Sequence, residues 1–157
     1  MSRGKTNAVR LLDSAGIEYE LREYSVDDGA IDGLSVARKV GMEPEMVFKT
    51  LVATGDRTGP VVFCLPVSAE LDLKKAAGAS GNRKIEMLPL RELTPLTGYV
   101  RGGCSPLGMK KKFPFFMDEI AQVFDSLAVS AGRKGLQMVL APADLQELAG
   151  GEWADLT

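Results

Sequence analysis

The pattern of the fold is set by Val47-Phe48-Lys49-Thr50-Leu51-Val52-Ala53, which is followed by Val61-Val62-Phe63-Cys64-Leu65. Both runs are rich in the β-branched and aromatic residues that are typical of buried strands, and the turn residues between them predict neighbouring strands. Successive side chains of a strand point to opposite faces of the sheet. Lys49 therefore shares an otherwise apolar face with Val47 and Leu51.

Helix and strand patterns alternate on both sides of these two strands, which predicts a mixed α+β domain. Helical spacing and end signals predict helices at Asn7–Ala15, 35–40, 72–77 and from Pro142, with a short helical turn at 90–93. Thr6 and Asp72 are expected to cap the first and third of these helices, and Gly16 and Gly41 to end the first and second. Further strands are predicted at 17–21, 84–87, 115–117, 127–130 and Leu136–Leu140. The segment 98–108 is expected to be mostly loop.

Composition favours a soluble globular protein. The chain has 157 residues, of which 45% are hydrophobic and 25% are charged, and no internal repeat or long linker divides it. We expect one domain over residues 1–157. No run approaches the roughly 20 apolar residues that a membrane helix needs, and residues 1–5 do not lead into an apolar signal core. These observations predict a cytoplasmic protein with no membrane partner.

The charge balance and the missing residue types narrow the chemistry. A net charge of −2 predicts no DNA binding, and any contact with RNA must come from a local patch. The chain contains no histidine, which excludes histidine-based zinc sites and serine–histidine or cysteine–histidine dyads. We expect neither a metal nor a cofactor. Cys64 is predicted to lie in the core, and Cys104 is more readily read as a buried residue than as a nucleophile.

Several segments carry candidate functional residues, each with an alternative reading. Lys49 either points into a pocket, where its ammonium binds a phosphate or a carbonyl oxygen, or reaches solvent from a sheet edge. The glycines Gly102 and Gly103 either let the backbone approach a ligand or form a tight turn. Ser130 and Tyr24, each at the end of a strand, can line a pocket or face solvent.

A cluster of basic residues surrounds the paired glycines. Arg101 precedes them, and Lys110, Lys111 and Lys112 follow. Together these side chains can form a phosphate-binding patch for RNA. A run of three lysines is also typical of a solvated face.

Taken together, four stretches resemble the YbaK/EbsC family of aminoacyl-tRNA deacylases, relatives of the editing domain of bacterial prolyl-tRNA synthetase. They are Val47-Phe48-Lys49-Thr50-Leu51, Leu71-Asp72-Leu73-Lys74-Lys75, the segment from Gly98 to Lys112 that includes Arg101-Gly102-Gly103-Cys104-Ser105-Pro106-Leu107-Gly108, and Val129-Ser130-Ala131-Gly132-Arg133-Lys134-Gly135-Leu136. The resemblance covers most of the chain.

The resemblance implies a mixed, barrel-like β-sheet flanked by helices. It implies catalytic roles for Lys49, Gly102 and Ser130, and substrate binding by Tyr24, Gly103 and Gln137. Gln137 stands where YbaK-like members carry an acidic residue. Ile31 or Leu34 is nearest to a position where they carry an aromatic one.

The resemblance also implies an activity. The expected function is trans-editing, the removal of mischarged cysteine from tRNA(Pro), with prolyl-tRNA synthetase as a partner. The substrate thiol would attack its own ester carbonyl, so the enzyme would need no nucleophile of its own. Three alternatives stay open: a non-catalytic module that binds tRNA, a nucleotide or a synthetase, a deacylase for another small amino acid such as alanine, and a small-molecule carrier with a lysine-lined pocket.

Overall fold

The computed structural model describes residues 4–157, in which helices and strands alternate as expected. The helices are α1 (Asn7–Ala15), α2 (Gly33–Val40), α3 (Leu73–Ser80), α4 (Leu90–Thr97) and α5 (Pro142–Ala149). The strands are β1 (Glu20–Glu23), β2 (Phe48–Gly55), β3 (Gly59–Pro66), β4 (Ile85–Met87), β5 (Phe115–Asp118), β6 (Leu127–Arg133), β7 (Leu136–Leu140) and β8 (Glu152–Ala154). Short 3-10 turns span Pro44–Met46 and Glu119–Val123.

The strands form two sheets, and the α+β prediction is confirmed. One sheet has the order β1-β7-β6, and the other has the order β4-β2-β3-β5-β8. Within residues 4–157 the sheets do not close into a continuous barrel, but one parallel bridge between Val47 and Ala128 joins them. This joint brings the start of β2 beside β6, and it positions the cavity described below.

Helix ends follow from the local sequence. The Thr6 hydroxyl accepts a hydrogen bond from Val9 N–H, and the Asp72 carboxylate accepts from Lys74 and Lys75 N–H, so both residues act as the predicted N-caps. Gly16 ends α1 in the left-handed conformation, as predicted, because glycine adopts a positive φ without a side-chain clash. None of the helices within residues 4–157 is long and apolar enough to cross a membrane.

The core confirms the prediction for Cys64. The largest apolar cluster packs α1, α5 and the loop that follows α4 against the sheets, and it includes Leu12, Met117 and Leu145. Cys64 belongs to the same cluster and is fully buried. A smaller cluster packs α2 onto β6, β7 and Tyr24, which follows β1, with Val36 and Val139 among its members.

Three expectations differ from the structure. The strand predicted at 17–21 lies at Glu20–Glu23, because its pairing with β7 begins only where Glu20 meets Val139. The helical turn predicted at 90–93 is the full helix α4, which contains Pro95 in its interior. Strand β8 was not predicted from the sequence, and it pairs in parallel with β5 over three residues.

Candidate active site

A cavity of about 780 Å³ opens where the two sheets meet, between β2, the ends of β6 and β7, the start of α2 and two loops. It is lined by most of the residues that the sequence singled out: Lys49, Gly102, Ser130, Tyr24, Gln137 and Arg101. Residues from distant parts of the chain therefore converge on one site. The cavity volume suits a small ligand or the end of a larger one.

Lys49 lies in β2, half-buried in the cavity wall. Its Nζ donates a 2.7 Å hydrogen bond to the Ala69 carbonyl oxygen, which leaves two N–H groups available to a ligand. Burial penalises the ammonium and lowers the pKa of Lys49 below its usual value, and the nearby Glu70 carboxylate partly opposes this shift. Lys49 is thus a positioned cation and not a freely solvated one.

The bridge between the sheets brings Lys49 toward Ser130. Val47 pairs in parallel with Ala128, and two residues further along each strand lie Lys49 and Ser130. Both side chains line the cavity. The Ser130 hydroxyl accepts a 3.2 Å hydrogen bond from Gly132 N–H, so its own proton can be donated to a ligand.

Tyr24 and Gln137 supply the buried polar surface of the cavity. Their side chains are 9% and 5% exposed, and neither the Tyr24 hydroxyl nor Gln137 Oε1 has a hydrogen-bond partner within residues 4–157. Gln137 faces Ser130 across the β6–β7 ladder, so both side chains lie on the same face of the sheet. Buried polar atoms without partners are rare in folded proteins, and both of these atoms belong to residues that line a ligand-sized space.

Gly102 forms part of the cavity wall. Gly103 N–H donates to the Val100 carbonyl oxygen across a four-residue turn, and Gly102 has a φ of +82° at the third position, as in a type II turn. A methyl group on Gly102 would lie 2.9 Å from Ile31 Cδ1. The turn therefore requires glycine, and it presents main chain to the cavity.

Gly103 has a packing role in this structure. It does not line the cavity, and a methyl group on it would lie 2.9 Å from the backbone of Arg133. The close approach of this loop to the β6–β7 turn needs the absent side chain. The structure thus separates Gly103 from the other predicted substrate-binding residues, Tyr24 and Gln137.

Cys104 lines the cavity but is not activated. Burial raises the pKa of its thiol to about 12, so the thiol stays protonated at neutral pH. A protonated, 8% exposed thiol is a poor nucleophile. The geometry supports the interpretation that Cys104 packs in the wall of the site.

The predicted basic patch is divided between two places. Arg101 lines the main cavity, exposed and without an ion-pair partner within residues 4–157. Lys111 and Lys112 instead line a second cavity of about 200 Å³, between α1, α5 and the segment 106–113. Lys110 Nζ lies 3.4 Å from the Pro95 carbonyl oxygen. The three consecutive lysines do not line the main cavity.

Part of the cavity wall was not predicted from the sequence. An apolar side is formed by residues around β4 and α4, namely Met87, Leu88, Leu90 and Leu93. Met87 and Leu90 are 46% and 57% exposed, so the mouth of the cavity presents apolar surface to solvent. Asp32 also lines the cavity, but its carboxylate caps α2 by accepting hydrogen bonds from the Ser35 N–H and hydroxyl. The local signal was the apolar run Met87-Leu88-Pro89-Leu90, which the periodicity assigned only to a strand and a turn.

The arrangement supplies hydrogen-bond donors around a ligand. Lys49 Nζ, the Ser130 hydroxyl and the main chain at Gly102 can stabilise negative charge that develops on a carbonyl oxygen. Within the part of the chain that the structure describes, no group of three histidine, cysteine or acidic side chains is arranged to hold a metal ion. The site suits a reaction in which the nucleophile comes with the substrate or from water.

Comparisons of the sequence with known proteins found matches that cover most of the chain. A family model described as "Aminoacyl-tRNA editing domain" matches residues 33–148. Over 153 residues the chain is 47% identical to an Enterococcus faecalis protein described as "Putative Cys-tRNA(Pro)/Cys-tRNA(Cys) deacylase EbsC", an alignment that covers 98% of this chain and 93% of that protein.

Two solved structures share the fold at low sequence identity. The first is described as "a putative trans-editing enzyme for prolyl tRNA synthetase", with a TM-score of 0.84, 24% identity, and coverage of 98% of this chain and 99% of that one. The second is a hypothetical protein, APE2540, with a TM-score of 0.87, 19% identity, and coverage of 96% and 99%. At these identities the likeness shows the fold alone.

Proposed function

This chain belongs to the aminoacyl-tRNA editing domain family, and from that premise we propose that it is a deacylase that removes cysteine from mischarged tRNA(Pro). The observation that carries the proposal is the convergence of Lys49, Gly102 and Ser130 on one cavity that lacks an activated nucleophile. In this proposal residues 1–157 act as one editing domain.

The proposed reaction uses the thiol of the substrate. The cysteine sulfur attacks its own ester carbonyl carbon, a new C–S bond forms, and the C–O bond to the ribose breaks. The thiol proton passes to the departing ribose oxygen, and the products are a cyclic thiolactone and free tRNA. No step needs a nucleophile from the protein, which agrees with the absence of histidine and with the high pKa of Cys104.

Each catalytic residue then acts through position and charge. Lys49 holds the terminal adenosine or phosphate end of the tRNA, where its ammonium offers donors to oxygen atoms. Gly102 N–H contacts the reacting group and stabilises the developing oxyanion. The Ser130 hydroxyl orients the ester, which holds the thiol and the carbonyl close together.

The RNA body is bound weakly in this proposal. The net charge is −2, and Arg101 is the predicted patch residue at the cavity, so few phosphate contacts are available there. We therefore infer that the protein acts in the cytoplasm beside prolyl-tRNA synthetase, which would supply the remaining affinity for tRNA. Tight binding of isolated tRNA(Pro) at physiological salt would contradict this inference.

The decisive assay follows loss of the aminoacyl ester. Purified protein is incubated with Cys-tRNA(Pro), Ala-tRNA(Pro), Ser-tRNA(Pro) and Cys-tRNA(Cys), beside the Lys49→Ala variant. Rapid loss of the cysteinyl ester from tRNA(Pro), abolished in the variant, is the expected result. No loss from any of the four substrates, with prolyl-tRNA synthetase also present, would overturn the proposal and favour a non-catalytic binding module.

One observation favours a second candidate within the same class. Gln137 places an uncharged amide in the buried part of the cavity, where the resemblance implies an acidic residue. The enzyme would then prefer a tRNA that carries another amino acid, with alanine as the first alternative. Faster loss of Ala-tRNA(Pro) than of Cys-tRNA(Pro) in the same assay would support it.

A further inference from the structure

We propose that Tyr24 and Gln137 bind the α-amino group of the aminoacyl ligand, so that the cavity accepts esters with a free amine and rejects N-acylated ones such as peptidyl esters. This inference rests on the proposed function, because it takes the ligand to be an aminoacyl group. It names which part of that ligand the buried polar side chains contact.

The first support is the unused hydrogen-bonding capacity of the two side chains. The Tyr24 hydroxyl and Gln137 Oε1 are buried, and neither has a partner within residues 4–157. Leaving such groups unpaired costs free energy, so a ligand gains affinity when both side chains turn toward it and pair with it. Both residues line the main cavity, which is where that ligand would sit.

The second support is their position in the sheet. Gln137 pairs with Arg22 of β1. Two residues further along the same pair of strands, Tyr24 N–H donates to the Gly135 carbonyl oxygen. Tyr24 and Gln137 are therefore diagonal neighbours on one face, close enough for one small group to contact both. Arg22 does not occupy that space, because its guanidinium binds Glu20 and the Val40 carbonyl oxygen.

The third support is the complementary chemistry of the other polar groups. Lys49, Arg101 and the Ser130 hydroxyl donate hydrogen bonds, so they match the carbonyl and phosphate oxygens of a ligand. Gln137 Oε1 can only accept, and the Tyr24 hydroxyl can accept as well. A ligand that satisfies the whole cavity must present oxygen acceptors on one side and N–H donors on the other. An α-amino ester has both, because its amino group and its ester carbonyl group are attached to the same α-carbon.

Polarity and charge also favour a free amine. Val36 and Val47, both nearly fully buried, line the same cavity and add apolar surface that offers no hydrogen-bond partner to a ligand. Asp32 is the one acidic residue that lines the cavity within residues 4–157, and its carboxylate is exposed and committed to the cap of α2. Recognition of the amine therefore depends on two uncharged side chains.

The test uses binding, so that it does not depend on turnover. The probes are 3′-deoxy-3′-(L-cysteinylamino)adenosine, its N-acetyl derivative and the alanyl counterpart of the first, all with an amide that resists cleavage. Affinities are measured by titration calorimetry for the wild type, Tyr24→Phe and Gln137→Met. Tyr19→Phe and Gln122→Met are matched controls, since both side chains lie outside the cavity.

We expect the wild type to bind the free-amine probe about tenfold more tightly than the N-acetyl probe. Tyr24→Phe and Gln137→Met should each lower the affinity for the free-amine probe severalfold and leave the affinity for the N-acetyl probe nearly unchanged. The two control variants should change neither affinity. The alanyl probe should behave like the cysteinyl probe in its response to both cavity variants.

Three outcomes with the two cysteinyl probes would overturn the inference. They are equal binding of the acetylated and free-amine probes, equal weakening of both probes by the variants, and absence of binding by the free-amine probe. If the two cavity variants weaken binding of the cysteinyl probe but not of the alanyl probe, Gln137 contacts the thiol of the ligand, and this result also refutes the inference. Amine-selective binding together with no loss of any ester in the deacylation assay would leave the inference standing while the proposed function failed.

Discussion

The Lys49 ammonium is tied by a 2.7 Å hydrogen bond to the carbonyl oxygen of Ala69, in the segment that follows β3. The bond fixes a cation at the wall of the cavity while two of its N–H groups stay available. Lys49 is held partly out of water, and burial lowers its pKa. A side chain held at such a cost to its charged form is expected to serve function more than stability.

The Lys49→Met variant tests this expectation. Methionine keeps the length of the apolar stem but removes the charge and the donors, so cleavage of the cysteinyl ester should fall by about 100-fold or more. The melting temperature should stay within about 3 °C of the wild type, because the lost hydrogen bond is offset by relief of the buried charge. Single-turnover assays and thermal unfolding give the two values. Wild-type activity in Lys49→Met would show that the ammonium is not part of the machinery.

The depressed pKa of Lys49 predicts the alkaline limit of activity. If the ammonium is the active form, kcat/KM falls as the pH rises through the pKa of Lys49 in the folded protein, which lies below the ordinary value of 10.5. Removing the Glu70 carboxylate removes a contribution that raises this pKa, so Glu70→Gln should move the alkaline limb to lower pH. Rates are measured against pH, and the ester loss seen with Lys49→Met is subtracted. A limb that moves upward in Glu70→Gln would contradict the assignment.

Gly102→Ala should lose both stability and activity. Alanine is strained by about 1–2 kcal/mol at a φ of +82°, and its methyl group would meet Ile31 Cδ1 at 2.9 Å. Adding Ile31→Val removes the contacted methyl group and should restore part of the stability but not all of it, since the backbone strain remains. Chemical denaturation measures this difference.

Gly78→Ala is the matched control for Gly102→Ala. Gly78 lies in α3 without a positive φ, and a methyl group there meets nothing within 4 Å. Alanine should therefore stabilise the protein by about 0.5–1 kcal/mol through helix propensity. Equal effects of the two substitutions would refute the role given to the turn at Gly102.

The divided basic patch predicts unequal effects on tRNA. Arg101→Ala should lower kcat/KM for Cys-tRNA(Pro) by about tenfold. In a plot of log kcat/KM against the logarithm of the salt concentration, the slope should become shallower by about one. The double variant Lys111→Ala/Lys112→Ala should have a smaller effect, because these side chains line the second cavity. A methyl group on Gly150 would lie 3.1 Å from Lys112 Nζ, so Lys112 sits near the C-terminal end of α5 and favours stability there. A larger loss from the lysine pair would place the RNA across the second cavity.

The helices were predicted well because their end signals are local. The bounds of α1 match the prediction, and Asp72, Gly16 and Gly41 begin or end helices as expected. The strand register depends on distant partners, so the shift of β1 toward Tyr24 could not be deduced from residues 17–21 alone. The three-residue strand β8 has no pattern of its own and exists through pairing with β5.

The site shows the same division between local and distant information. The alternation in β2 placed Lys49 on an otherwise apolar face, and in the structure Lys49 lines the cavity. Adjacency in sequence was misleading for Lys110, Lys111 and Lys112, because the chain leaves the cavity after Cys104. The unpaired state of the Tyr24 hydroxyl and Gln137 Oε1 could not be deduced, since it depends on which hydrogen-bond partners the fold brings within reach of these atoms.

The parallel bridge between Val47 and Ala128 also bears on the order in which the protein folds. The hairpin of β2 with β3 and the hairpin of β6 with β7 each form from neighbouring residues, which are fast local events. The bridge joins strands that lie far apart in the chain, and closing that long loop is slower. Lys49 and Ser130 belong to different hairpins, so neither hairpin alone contains the site. Return of activity during refolding should therefore lag behind the return of secondary structure, and catalysis would report the docking of the two sheets.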